Sequence, residues 1–164
     1  MNIQQNRIVS RTFFALVITA AVLFGACSSP AKGMDLVIQN AESGVVWEKL
    51  PVQEGDEFAV EFTHSVHKSP VRETFVVEGT AFRPVMSRFY SFGAGMQSDL
   101  EEGQVMSFDN GAICITGFNA SFGELIYIVD GLSNYRLIVG DRTIDLLELC
   151  GKNAHVALGI ASLD

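Results

Sequence analysis

The chain has 164 residues, of which 48% are hydrophobic, and a net charge of −8. That length suits one domain rather than two. Arg7 and Arg11 are the only charged residues before Cys27, so the remainder sets 9 basic side chains against 19 acidic ones, a net −10 that repels phosphate backbones and argues against nucleic acid as a partner.

The first segment reads as an address. Met1–Ser10 is polar and carries Arg7, Arg11 adds a second positive charge, and Thr12–Ala26 is apolar. This is a positive region followed by an apolar region of signal-peptide length. It is short of the ~20 apolar residues that a membrane-spanning helix needs. Its end, Leu23-Phe24-Gly25-Ala26-Cys27, resembles a bacterial lipobox. The resemblance implies cleavage after Ala26 and lipidation of Cys27. The protein would then be exported and held on a bacterial membrane, facing the periplasm or the cell exterior. Each buried methylene of the acyl chains contributes ~0.8 kcal/mol to such an anchor. The expected division is a signal peptide over 1–26, a lipidated cysteine and tether over 27–33, and a folded domain over 34–164.

From Met34 onward, short runs of period two alternate with Gly, Asn-Gly or Pro turns. Runs are predicted over 36–38, 45–50, 57–66, 71–78 and 80–92. Pro84 lies inside the last of these and marks an edge position or a bulge there. An acidic loop over 96–103 follows. Runs over 105–108 and 112–118 flank Asp109-Asn110-Gly111, a strong hairpin turn. Further runs cover 124–129, 135–139, 142–147 and 155–160. The expected fold is therefore a single all-β antiparallel domain, a sandwich or barrel of about ten strands, with no helix after the signal segment.

Chemistry concentrates between two of these runs, in Phe62-Thr63-His64-Ser65-Val66-His67-Lys68-Ser69-Pro70-Val71-Arg72-Glu73. Alternation puts Phe58, Phe62 and His64 on one face. With Lys68-Ser69 as the turn centre, His64 falls directly opposite Glu73. The bland reading of that pair is a polar clip that holds the hairpin in register. A ligand reading gives Lys68, His67 and Arg72 the task of donating to a small organic anion. A third reading makes His64 and Glu73 the acid–base pair of a small hydrolase, or metal ligands together with His67. Strand parity separates His64 from His67 and disfavours a shared metal, so neither metal nor cofactor is expected. Gly93 and Gly95 mark backbone that needs positive φ or close approach. Cys114 and Cys150 lie in a domain exported to an oxidising compartment, which permits a disulfide, although two free thiols are equally ordinary.

His64-Ser65-Val66 with Pro70-Val71-x-Glu73, followed by Ser91-Phe92-Gly93-Ala94-Gly95, resembles the exported bacterial proteins grouped as domain of unknown function 1850, over about Leu36 to Ile160. Members are often encoded beside TRAP-type transporters of the TAXI class, whose binding proteins capture small organic anions. The resemblance implies a non-catalytic binding or accessory module at the membrane. Its partner would be a TRAP/TAXI solute-binding protein or permease, or the anion itself. It carries over no catalytic residue. The remaining alternative is a structural envelope lipoprotein in which the motif only stabilises the fold.

Overall fold

A computed structural model describes residues 33–93 and 95–162. The expected signal peptide, Cys27 and all of the tether but Gly33 lie outside these residues. Among the described residues, no helix is long and apolar enough to cross a membrane.

The described residues form eleven strands: β1 (Met34–Asn40), β2 (Val46–Val52), β3 (Glu57–Thr63), β4 (Pro70–Glu78), β5 (Ala81–Phe89), β6 (Val105–Asp109), β7 (Ala112–Thr116), β8 (Glu124–Val129), β9 (Arg136–Val139), β10 (Arg142–Asp145) and β11 (Ala154–Ser162). They form two antiparallel sheets, one of four strands in the order β2-β1-β11-β8 and one of seven in the order β10-β9-β3-β4-β5-β7-β6. The all-β sandwich expected from the turn spacing is the fold that forms. The strand that contains Pro84 is interior to its sheet and bulged: register slips between Thr74 and Phe75 of β4, leaving Val85 of β5 without an opposite number. Both expectations for this proline hold: the bulge lies beside it, and β7 pairs with β5 only over Met86–Phe89, so Pro84 has a ladder on its β4 side alone.

One element differs from the sequence expectation. Leu146–Cys150 is a helix, α1, where a strand end and a turn are predicted. The Asp145 side chain accepts from the amides of Leu147 and Glu148, and the Gly151 amide closes the other end on the Leu147 carbonyl. A good N-cap and a glycine stop are enough for one turn and a half of helix when a buried Leu146 anchors it.

The two sheets enclose a core built from alternate residues. Leu36 and Ile38 of β1, Val156 and Leu158 of β11, and Leu50 of β2 face Val60 of β3, Val77 of β4 and Leu137 of β9. Phe58 stacks on Phe75 at 5.2 Å and meets Phe82 edge-on at 5.3 Å. Each such side chain contributes about 1.5–3 kcal/mol by leaving water. A second, smaller cluster of Val71, Phe89, Ile113 and Ile115 lies toward β7. Here the seven-stranded sheet extends past the four-stranded one. Loop residues Met96 and Phe118 cover it instead.

Candidate functional site

The β3–β4 hairpin pairs Val60 with Glu73 and Thr63 with Pro70. The connection is six residues long, and its even length keeps the expected parity. It does not keep the expected register. His64 does not lie opposite Glu73, because its own backbone starts the loop early: the His64 amide bonds the Ser69 carbonyl at 2.8 Å, and the Lys68 amide bonds the His64 carbonyl at 2.9 Å. Lys68 takes φ +51° to allow this. The buried His64 ring then caps the loop, its Nδ1 accepting from the amides of Val66 and His67, each at 3.2 Å. That geometry requires an unprotonated Nδ1. Ser65 and Val66 are exposed at the tip.

Glu73 reaches across the sandwich rather than across the hairpin. Tyr127 of β8, in the opposite sheet, donates its hydroxyl to Glu73 Oε2 at 2.8 Å. Burial pushes the Glu73 carboxyl above its ordinary range, and the Tyr127 bond offsets part of that rise. Burial also raises the Tyr127 phenol, as does the neighbouring Glu73 charge. Tyr135 follows Tyr127 at 5.9 Å between ring centroids and stacks on Phe62 at 5.0 Å. A polar pair thus sits inside an aromatic wall. Residues Leu125, Tyr127 and Val129 alternate inward along β8, and a phenol among these core positions was the available sequence signal for Glu73's partner.

The glycine motif closes on the same place. His67 Nε2 lies 3.3 Å from the Gly93 carbonyl, which also accepts from the Met96 amide at 3.0 Å. Gly93 and Gly95 both hold positive φ, +87° and +92°, and turn the chain back so that Met96 faces inward. A cavity of about 520 Å³ results. Glu73 and Phe75 of β4, Ser87 of β5, Leu125 and Tyr127 of β8, and the loop residues Met96 and Phe118 line it, together with His64. It lies where β8, an edge strand, gives way to loops. Hydrophobic side chains dominate the lining, and Gln97 and Gln104, bonded to each other at 2.5 Å, add amides at the loop side. The volume is in the range of small-molecule sites.

Other predicted residues lie elsewhere. Arg72, next to Glu73, points to the outer face of the sheet and pairs with Glu61 at 2.7 Å. It does not join His67 and Lys68 in one cationic cluster. Pro70 is exposed at the start of β4. Cys114 and Cys150 are free thiols, not a disulfide. Ile113 and Ile115 of β7 face inward, so Cys114 faces outward, whereas Cys150 ends α1 against the core between the sheets. Burial pushes the Cys150 thiol up to about 11, away from thiolate chemistry at neutral pH. Among the described residues, no three His, Cys, Asp or Glu side chains converge as metal ligands. His155 pairs with Glu42 at 3.0 Å, on a different part of the fold from the hairpin.

A family model described as a domain of unknown function (DUF1850) matches residues 58–146. The chain belongs to the DUF1850 family. The match is narrower than the span over which the sequence resembles that family. It covers the seven-stranded sheet from Phe58 onward and β8, and contains every residue lining the cavity. Strands β1, β2 and β11 lie outside the DUF1850 match. No curated protein and no solved structure matches the chain.

Proposed function

We propose that this DUF1850 protein is an exported, lipid-anchored, non-catalytic binding module that receives an apolar small molecule in the cavity between its sheets. The observation that carries this reading is the meeting of both family motifs at one cavity, through the His67–Gly93 contact and through Glu73 and Gly95 in the lining. The Glu73–Tyr127 pair supplies a polar feature deep in a mainly apolar lining that fixes the orientation of a ligand, with Gln97, Glu101 and Gln104 on the loop side. A ligand donor replacing or joining the Tyr127 hydroxyl would bond the exposed part of the carboxylate.

The genomic habit of the DUF1850 family supports the second half of the proposal, that the module serves a TRAP/TAXI-type uptake system. Anchoring through Cys27 would keep it near the membrane, since a six-residue tether reaches only ~20 Å at ~3.3 Å per residue.

Titration of the full chain with an environment-sensitive apolar fluorophore tests the cavity. Ser87 lies opposite Glu73 and faces the cavity; saturable binding that Ser87→Trp blocks is expected, and binding insensitive to Ser87→Trp removes the cavity as the site. A deletion strain with unchanged uptake of the solutes of a neighbouring transporter overturns the accessory role. Mass analysis of the mature N-terminal peptide tests lipidation at Cys27, and an unmodified cysteine overturns it.

A further inference from the structure

We infer a second binding site on the outer face of the seven-stranded sheet, a three-arginine groove that takes a small dicarboxylate. It is independent of the cavity: Arg72 and Glu73 are consecutive on β4 and so project to opposite faces.

The register builds the groove. Arg136 of β9 lies opposite Glu61 of β3, Glu61 opposite Arg72 of β4, and Arg72 opposite Arg88 of β5. Residues opposite one another share a face, so the four side chains form one row, with neighbouring strands ~4.8 Å apart. They line a depression of about 390 Å³, whose edges include Tyr90 and Asn134. Three of the five arginines that follow Cys27 stand in this row, in a region of the chain with net charge −10.

Existing pairs leave donors over. Arg72 gives one nitrogen to Glu61 at 2.7 Å. Arg88 is held by Asp109, the last residue of β6, at 2.7 Å to the carboxylate and 3.5 Å to the carbonyl, and by the Tyr90 side chain. Arg136 has no carboxylate within ion-pair distance among the described residues. Asp145, its neighbour on β10, turns its carboxylate to the amides that begin α1. A guanidinium has five N–H donors in a rigid fork that matches a carboxylate, so each arginine retains capacity for an oxyanion.

The position of Glu61 decides the shape of the ligand. Its charge stands between Arg72 and Arg136, so a compact multivalent anion centred on the row meets repulsion. A two-ended anion avoids it, with one carboxylate on Arg72 and Arg88 and the other on Arg136. A ligand that binds the assembled row and not the unfolded chain stabilises the fold by mass action.

Thermal melts and calorimetric titration of the full chain in mild detergent test this, with succinate, acetate and inorganic phosphate at matched ionic strength. Succinate is expected to raise the melting temperature and to bind saturably, with acetate and phosphate well behind. Arg88→Gln and Arg136→Gln are each expected to weaken succinate binding about tenfold or more. Arg136 is exposed, so its variant should melt at the wild-type temperature without ligand. Glu73→Gln should leave succinate binding unchanged. Equal effects of succinate and acetate overturn the site, as does undiminished binding in both arginine variants. A phosphate affinity equal to that of succinate overturns the two-ended ligand.

Discussion

Glu73 is a carboxyl placed where its charge is costly. Because burial raises its pKa in the folded protein above the ordinary 4.5, the folded state binds the proton more tightly than the unfolded chain does. Its contribution to stability is then complete below pH 4.5 and is lost as pH rises through the folded-state value. Denaturant titrations at several pH values should show wild-type stability falling across that window more steeply than that of Glu73→Gln. Parallel curves for the two proteins would mean that Glu73 is not desolvated. His64 works differently. Its Nδ1 holds two loop amides, the service a capping side chain gives to a helix end. His64→Ala should lower stability by about 1 kcal/mol, whereas His64→Asn, whose side-chain oxygen can cap the same amides, should restore most of it in thermal melts. An equal loss in both variants would show that the ring's packing against His67, 4.7 Å away, matters more than the cap.

At the scale of the element, the loops that cover the overhanging sheet are held by close backbone approach. Gly117, at the end of β7, has φ +80°, and a Cβ there would collide with the carbonyl oxygen of Gly103. Backbone on both sides leaves no side chain to move aside. Gly117→Ala should therefore cost more than about 1 kcal/mol, combining an unfavourable φ with the collision. It should also disturb the cavity wall, because Phe118 follows directly. The measurement is a denaturant midpoint together with fluorophore binding, and an unchanged midpoint would show that the loop can shift freely. The β5 bulge is the other local device. By leaving Val85 unpaired it shifts the alternation of β5, so that Pro84 and Ser87, opposite Phe75 and Glu73, both face the cavity.

At the scale of the whole molecule, the first and last strands are neighbours: β1 pairs with β11 along its entire length, from Met34–Ser162 to Asn40–Val156. Three of the four strands of the small sheet therefore come from outside residues 58–146. A chain cut to that span would keep β8 alone on that side and expose Phe58, Phe75 and Phe82. It is expected to lack a cooperative unfolding transition by circular dichroism. A sigmoidal melt for that fragment would mean that the seven-stranded sheet is stable without its cover. The pairing of β1 with β11 also fixes where a Cys27 tether would enter the domain, beside the strand that ends the fold.

The sequence by itself determined the alternation and the turns, and with them the all-β class, most strand boundaries and the inward face of the hairpin. Those are local properties, set by side-chain periodicity, by Gly and Asn at positive φ, and by Pro84. Parity also placed His64 and Glu73 on one face, and both do line one cavity. The family motifs were legible as well, but the contact that joins them, His67 to Gly93, crosses 26 residues of sequence. What only the tertiary structure decided were the long-range pairings: Tyr127 as the partner of Glu73, the outward path of Cys114 that separates it from Cys150, and the alignment of Arg72, Arg88 and Arg136. Register across strands depends on how each loop satisfies its own backbone, as the His64 cap does. Such a choice moves a side chain by whole residues while leaving its hydrophobic pattern unchanged.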